Sequence, residues 1–391
     1  MAGEKYRAIL LKLSHDDQPD LATQLRCAKC HDPLGQTGDH TSLSPLGHGI
    51  GCESCHGGAE HWLHRHYERD MTRTERIELG MTDTKDLSVR AQQCAGCHVG
   101  SADQDMNHAM IAAGHPPLRF ELSAYHDLIR DKHWNDTRDR LEQRDYQIQL
   151  WAASQTAGAQ ARLELLTARC GSSIDPWPEL AEFNCFACHQ RIRGAAKASA
   201  GVPRGQPTWS KWGLLFAPDL HAASGPQVGT SLDALSNQFE ASLTSQPAEV
   251  QRDCAVAAAK FQALTANQEV TAQDAITIVL KSLEQAEDAD WETRCQQYLA
   301  LAAAERSYRD ELARRQHFAQ LLPREYNRLR TEEQSLIDEL QQVRGWLLFE
   351  QGKMGDVLRD EPPFFREKQQ EIGLGLQRIS TRLSERISEL P

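Results

Sequence analysis

Four times in this chain a histidine stands directly behind a pair of cysteines separated by two residues. The sets are Cys27, Cys30 and His31; Cys52, Cys55 and His56; Cys94, Cys97 and His98; and Cys185, Cys188 and His189. Histidine makes up 16 of 391 residues, so four such coincidences by chance run to roughly one in several hundred thousand. At this spacing one helical turn presents both sulfurs and the imidazole to the same porphyrin. That is the attachment pattern of c-type haem: the thiols add across the vinyl groups, and the imidazole sits under the iron. Zinc is the alternative, since four such pairs could make two four-thiolate sites. Those sites do not ask for a histidine after each second cysteine. A thioredoxin-like redox centre would need one motif, not four. The spacing therefore predicts four covalently attached haem c groups with iron on His31, His56, His98 and His189.

Twelve histidines remain after the four proximal ones, and a bis-histidine haem takes its second imidazole from elsewhere in the chain. His61, His64 and His66 follow the second motif. His108 and His115 stand seven apart in "DMNHAMIAAGHPP", one face of a continuous helix. The Gly114-His115-Pro116-Pro117 run should end that helix and leave His115 on a turn. His126 and His133 follow in "AYHDLIRDKHW". His15, His40, His221 and His317 read as ordinary surface or core histidines.

These residues need elements to hold them. Residues 1–229 carry all four motifs among short helical patterns and Gly-, Pro-, Asp- and Ser-rich connections, so the haems supply much of that core. The stretch from Ile148 to Cys170 reads as a helix, and "SAGVPRGQPTW" as a loop. From about Thr230 the texture becomes near-continuous helix. Pro247 suits a first helical position. Thr271 and Asp274 form a possible capping box. Trp291 to about Gln320, residues 331–350 and residues 366–388 read as three more helices. Leu336, Leu340, Val343 and Leu347 form an apolar stripe, fit for bundle packing or for a partner coiled coil. Strand patterns are almost absent. The expectation is a mainly α protein: a tetrahaem module over 1–229 with little sheet, then a cofactor-free α-helical bundle over 230–391. Cys170, Cys254 and Cys295 read as buried free thiols. A net charge of −12 argues against nucleic acid and for basic protein partners. No apolar run approaches the roughly 20 residues a membrane span needs.

"GIGCESCHGGAEHW" is similar to the corresponding motif of the cytochrome c-554-type multihaem cytochromes. "GMTDTKDLSVRAQQCAGCHVGSADQDMNHAMIAAGHPPLRFELSAY", "CFACHQRI" with "WSKWG", and "DWETRCQQYLALAA" resemble a related group of larger tetrahaem cytochromes. The resemblance runs from about Leu25 to Gly213 and more weakly to Ala303. It implies a periplasmic electron-transfer protein with closely packed, mostly bis-histidine haems. Its "WL-x-x-H" pattern falls on Trp62, Leu63 and His66, and makes His66 the first choice of distal ligand. His108, His115 and His133 come next; His48 and His64 have no place in it. The family opens with a signal peptide and an N-terminal ligand histidine. This chain opens "MAGEKYRAILLKL" with neither, so the signal peptide is taken as removed.

The leading functional expectation is an electron relay between redox proteins. The alternative is a multihaem enzyme acting on a small nitrogen compound at an open sixth position, with His64, His126 or a carboxylate as acid or base. A third expectation has the C-terminal helices docking a partner or a second copy. Within the opening motif, His66 should serve a haem other than the one on Cys52 and Cys55.

Overall fold

The computed structural model describes residues 4–14, 21–34, 49–129, 136–172, 177–192, 208–220, 227–241, 246–264, 269–285, 288–348 and 362–390. Helices dominate. Among the described residues the only extended pairing is an isolated antiparallel bridge between Phe183 and Trp209. The mainly α expectation holds. His133 and most of "SAGVPRGQPTW" lie outside the described residues, as do His15, His40, His48 and His221.

One helix organises the molecule: α9 (Tyr146–Gly171), numbered ninth along the chain. Its sequence is rich in small and apolar residues, and most of its positions are buried. Ile148 and Trp151 join one core cluster, Leu163 and Leu166 a second, and Leu150 and Ala157 a third. The third cluster seats α5 (Leu87–His98) and α7 (Leu122–Ile129). Ala91 and Ala95 meet Ala157 there, and such small side chains let two helix backbones approach closely. The second cluster covers α9 with α12 (Gln227–Ala241) and α13 (Pro247–Leu264) through Phe239, Val250, Cys254 and Phe261.

The first cluster is the largest, and it draws on both sides of residue 230. Ile148, Trp151, Phe186 and Phe216 enter it together with the C-terminal bundle. That bundle is α14 (Ala272–Gln285), α15 (Trp291–His317), α16 (Pro323–Leu347) and α18 (Gln369–Ser388), after the short α17 (Pro363–Glu367). Its local signals are readable. Pro247 begins α13. Thr271 and Asp274 exchange backbone-to-side-chain hydrogen bonds of 2.9 and 3.2 Å before α14, the reciprocal capping expected there. The stripe Leu336, Leu340, Val343 and Leu347 is buried inside the chain's own bundle, so bundle packing and not a partner coiled coil accounts for it.

Two boundaries and one burial differ from expectation. Helix α16 starts at Pro323, eight residues before 331, because Pro at the first position and Glu325 capping Leu322 start it, and Tyr326 and Leu329 carry its apolar face back to that end. Helix α15 stops at His317, where Ala319 turns to φ 55°. Cys170 is only half-buried, although it is a free thiol like the buried Cys254 and Cys295.

Candidate functional site

Each motif ends a helix or forms one. In α2 (Leu21–His31) the last turn carries Cys27, Cys30 and His31. The second motif makes the single turn α3 (Glu53–His56), entered through Cys52. Asp86 caps α5 with hydrogen bonds from Ser88 and Val89 N–H, and that helix ends on Cys94, Cys97 and His98. Cys185 opens α10 (Cys185–Ile192).

Two glutamines tie the first three motifs together. Gln104 Nε2 donates to the Lys29 carbonyl at 2.6 Å and to Cys97 Sγ at 3.2 Å. Gln93 Nε2 donates to the Ser54 carbonyl at 2.9 Å. The chain after α3 turns back beneath residues 80–82, with Thr82 N–H donating to the His56 carbonyl at 2.8 Å. Gly57 sits at φ +77°, and a Cβ there would stand 3.0 Å from the Gly80 carbonyl oxygen. Only glycine fits that crossing.

The thiols feel one another. Cys97, hydrogen-bonded by Cys30 and Gln104, is held down to about 7. Cys30 is pushed far up by that same contact and by burial. Burial raises Cys94 to about 11, and Cys55 adds to it. These are properties of the bare thiols, and they put motifs one to three around one centre.

Two imidazole pairs each bring a motif histidine beside one from elsewhere in the chain. His31 and His115 have ring centroids 6.2 Å apart. His108 and His189 are 6.5 Å apart and nearly parallel, at 21°. Two imidazoles on opposite sides of one metal, with nitrogens about 2 Å from it and centroids about 1 Å further back, stand about 6 Å apart. Both pairs fit that span. His115 also turns Nδ1 to the Pro116 carbonyl at 2.8 Å, which leaves Nε2 with its lone pair free to bind. Gly114, in the left-handed region, closes α6 (His108–Ala113), so His115 stands past the helix end on the expected turn. The Glu179 carboxylate fixes the start of α6 by accepting His108 N–H at 2.8 Å. A cavity of about 330 Å³ opens between Cys27, Arg26, His108 and Met110, room for part of a porphyrin beside the first motif.

The other two motif histidines are held by aromatic rings. His98 stacks on Phe120 at 4.8 Å and leans on Tyr125 at 4.9 Å; burial, with His31 nearby, pushes it below the ordinary histidine range. Trp62, 3% exposed, lies edge-on to His56 at 6.5 Å and to His66 at 5.7 Å. Its buried Nε1 has no hydrogen-bond partner. His66 turns Nδ1 to the Leu63 carbonyl at 2.6 Å and is exposed, as are His61 and His64.

His126 does not stand at any iron-facing pair. It is 1% exposed, with Nε2 at 3.2 Å from Arg90 Nη1 and Nδ1 at 3.8 Å from Asp136. The guanidinium N–H can only donate, so His126 Nε2 accepts that hydrogen bond and serves to join α5 to α7. Sequence reading also passed over a buried polar layer beside the fourth motif. Arg169 binds Glu182 and Asp105, and Arg162 reaches Glu182 at 3.3 Å. Arg119 reaches Glu292 at 3.4 Å. The only sequence signal for the last pair was its place inside two quoted stretches, "HPPLRF" and "DWETRC".

Residues 3–57 match the family model described as cytochrome c554 and c-prime. The matched stretch holds the first two of the four motifs. The match covers that short region alone; it supports covalent haem c with its iron as the cofactor class and haem-based electron transfer as the functional class. No curated protein and no solved structure matches the chain. Among the described residues, no helix is long and apolar enough to cross a membrane.

Proposed function

We propose that this chain is a periplasmic electron-relay protein carrying four covalent c-type haems within residues 1–229, with residues 230–391 free of cofactor. The observation that carries the reading is two imidazole pairs with centroids 6.2 and 6.5 Å apart, each joining a motif histidine to one from elsewhere in the chain. Bound haem c supplies a one-electron ferric–ferrous couple and a conjugated ring reaching the protein edge. The chain's own residues do the rest. Cys27 with Cys30, Cys52 with Cys55, Cys94 with Cys97, and Cys185 with Cys188 would anchor the four groups. His31 and His115 would close one iron from both sides, and His189 and His108 another. His66 and His133 are left for the irons of His56 and His98. The position of Trp62 between His56 and His66 supports His66 serving a haem other than its own motif's. The contacts made by Gln93 and Gln104 would hold the first three haems at fixed spacing. The net charge of −12 supports partner redox proteins with basic docking faces.

Intact-mass analysis of protein matured in a periplasm tests the reading, with electron paramagnetic resonance alongside. Four haem masses and low-spin signals from the paired irons are expected. A mass equal to the bare polypeptide overturns it. A high-spin iron among four attached haems would instead move the reading to an enzyme with an open coordination position.

A further inference from the structure

Beside the fourth motif the C-terminal half contributes a buried carboxylate. Glu292, in the first turn of α15, is 3% exposed. Its Oε2 accepts from Ser210 Oγ at 2.7 Å, and its Oε1 from Arg119 Nη2 at 3.4 Å. The Arg119 guanidinium lies over Phe186, within the fourth motif, at 5.3 Å and over Trp291 at 4.9 Å. The Cys185 thiol feels both Arg119 and Glu292. A cavity of about 90 Å³ joins Glu292 and Ser210 to Arg119, Phe120 and Cys185, large enough to pass water.

Two buried carboxylates share this layer, and they are held differently. Glu182 is gripped by Arg169 and Arg162, which keep it below the ordinary carboxylate range in spite of burial. Glu292 has one long contact to one cation. Burial pushes its carboxyl up, Asp290 adds to that, and Arg119, Ser210 and the more distant Arg162 oppose it. Cys295 on the same helix is a buried thiol pushed well above its ordinary value and stays neutral. Negative charge added next to this layer therefore falls on Glu292 as its least compensated member.

We infer that Glu292 is a redox-linked proton site for the haem held by Cys185 and Cys188, an inference that rests on the proposed function. With haem bound there, each electron delivered by a redox partner would be matched by one proton, which the Glu292 carboxylate would take from water through the Ser210 side of the cavity. The proton returns to water on oxidation. No other bond forms or breaks. The C-terminal half thereby takes part in the redox chemistry and couples one relay step to pH.

Optical redox titration of the holoprotein between pH 5 and 9 tests this, after mass analysis has counted the haems. One of the four potentials is expected to fall with pH over part of the range. Its limiting slope is about 59 mV per unit, the tenfold change in proton activity converted for a one-electron couple. Glu292→Gln should flatten that slope and leave the other three potentials alone. Ser210→Ala removes a donor to the carboxylate and should move the sloped window to higher pH; it decides the matter if Glu292→Gln fails to fold. Four attached haems with flat potentials, a slope surviving Glu292→Gln, or a window unmoved in Ser210→Ala overturns the inference alone. A chain without haem overturns the proposed function as well.

Discussion

The stretch from Gly49 to Lys85 and the bundle of α14, α15, α16 and α18 are built on opposite terms. In the first, only Ala59, Trp62, Met71 and Thr84 are buried, while Ile50, Leu63, Tyr67 and Ile77 are exposed. Its order comes from capping and crossing contacts: the Thr72–Glu75 capping box on Arg73–Glu78, the Arg73–Asp83 ion pair at 2.6 Å and the Thr82–His56 hydrogen bond. In the second, whole faces are apolar and closed: Leu336, Ile372, Leu376, Ile379 and Leu383 are fully buried. A chain segment that buries so little cannot offset its conformational entropy by side-chain packing alone. The first region needs a large covalent apolar group as its core, and the second supplies its own.

The sharpest way to break this contrast is to remove a haem. Replacing Cys52 and Cys55 together by Ala should strip protection from residues 49–85 and leave the bundle protected, read by hydrogen exchange along the chain. Equal protection of both regions would show the contrast to be wrong. The next largest effect belongs to the helix the regions share. Trp151→Ala should cost about 3–5 kcal/mol in denaturant unfolding, because Trp151 is fully buried where α9 meets the bundle. A loss confined to the N-terminal half would separate the two regions more than the core suggests.

A third measurement works inside the first region. His115→Ala should turn one low-spin iron high-spin while all four haems stay attached, whereas His64→Ala, at an exposed site, should leave the spectrum unchanged. The smallest effect lies in the bundle. Burial, with Glu333 beside it, raises the Glu305 carboxyl to about 7, against the opposing Arg309. A carboxyl raised above its ordinary 4.5 favours the fold fully below that value and loses the advantage as pH rises through about 7. Thermal unfolding should therefore drop by a few degrees, on the order of 2–4 °C per kcal/mol, between pH 5 and 8. Glu305→Gln should flatten that drop.

Much of this was legible in the residues themselves. Motif spacing, Pro247, the Thr271–Asp274 box and the α9 pattern are local signals, and local signals survive without a fold. The start of α16 was not legible, because in "PREYNRLR" only Tyr326 and Leu329 are apolar, set among charged residues. Propensity and ion pairs such as Arg328–Glu332 at 3.2 Å carry that turn. The pairing of His115 with His31 and of His108 with His189 was also hidden. All four residues were candidates, but which faces which depends on how α2, α6 and α10 meet. The buried Arg119, Glu292, Arg169 and Glu182 layer was invisible for a different reason. Charged residues are nearly always surface residues, and only their partners across the fold make the interior tolerable.

Helix α9 has a consequence for how such a chain can be inherited. Its 26 residues make a rod of about 39 Å with the redox half along one flank and the bundle along another. A recombination that joined a new tail at residue 230 would leave Ile148, Trp151 and Phe216 facing water unless the newcomer matched their shape. Natural exchange of the tail alone is thus penalised at the protein level, and the two halves are bound to drift as linked partners. A substitution on one flank of α9 should find its compensation on the other side of residue 230.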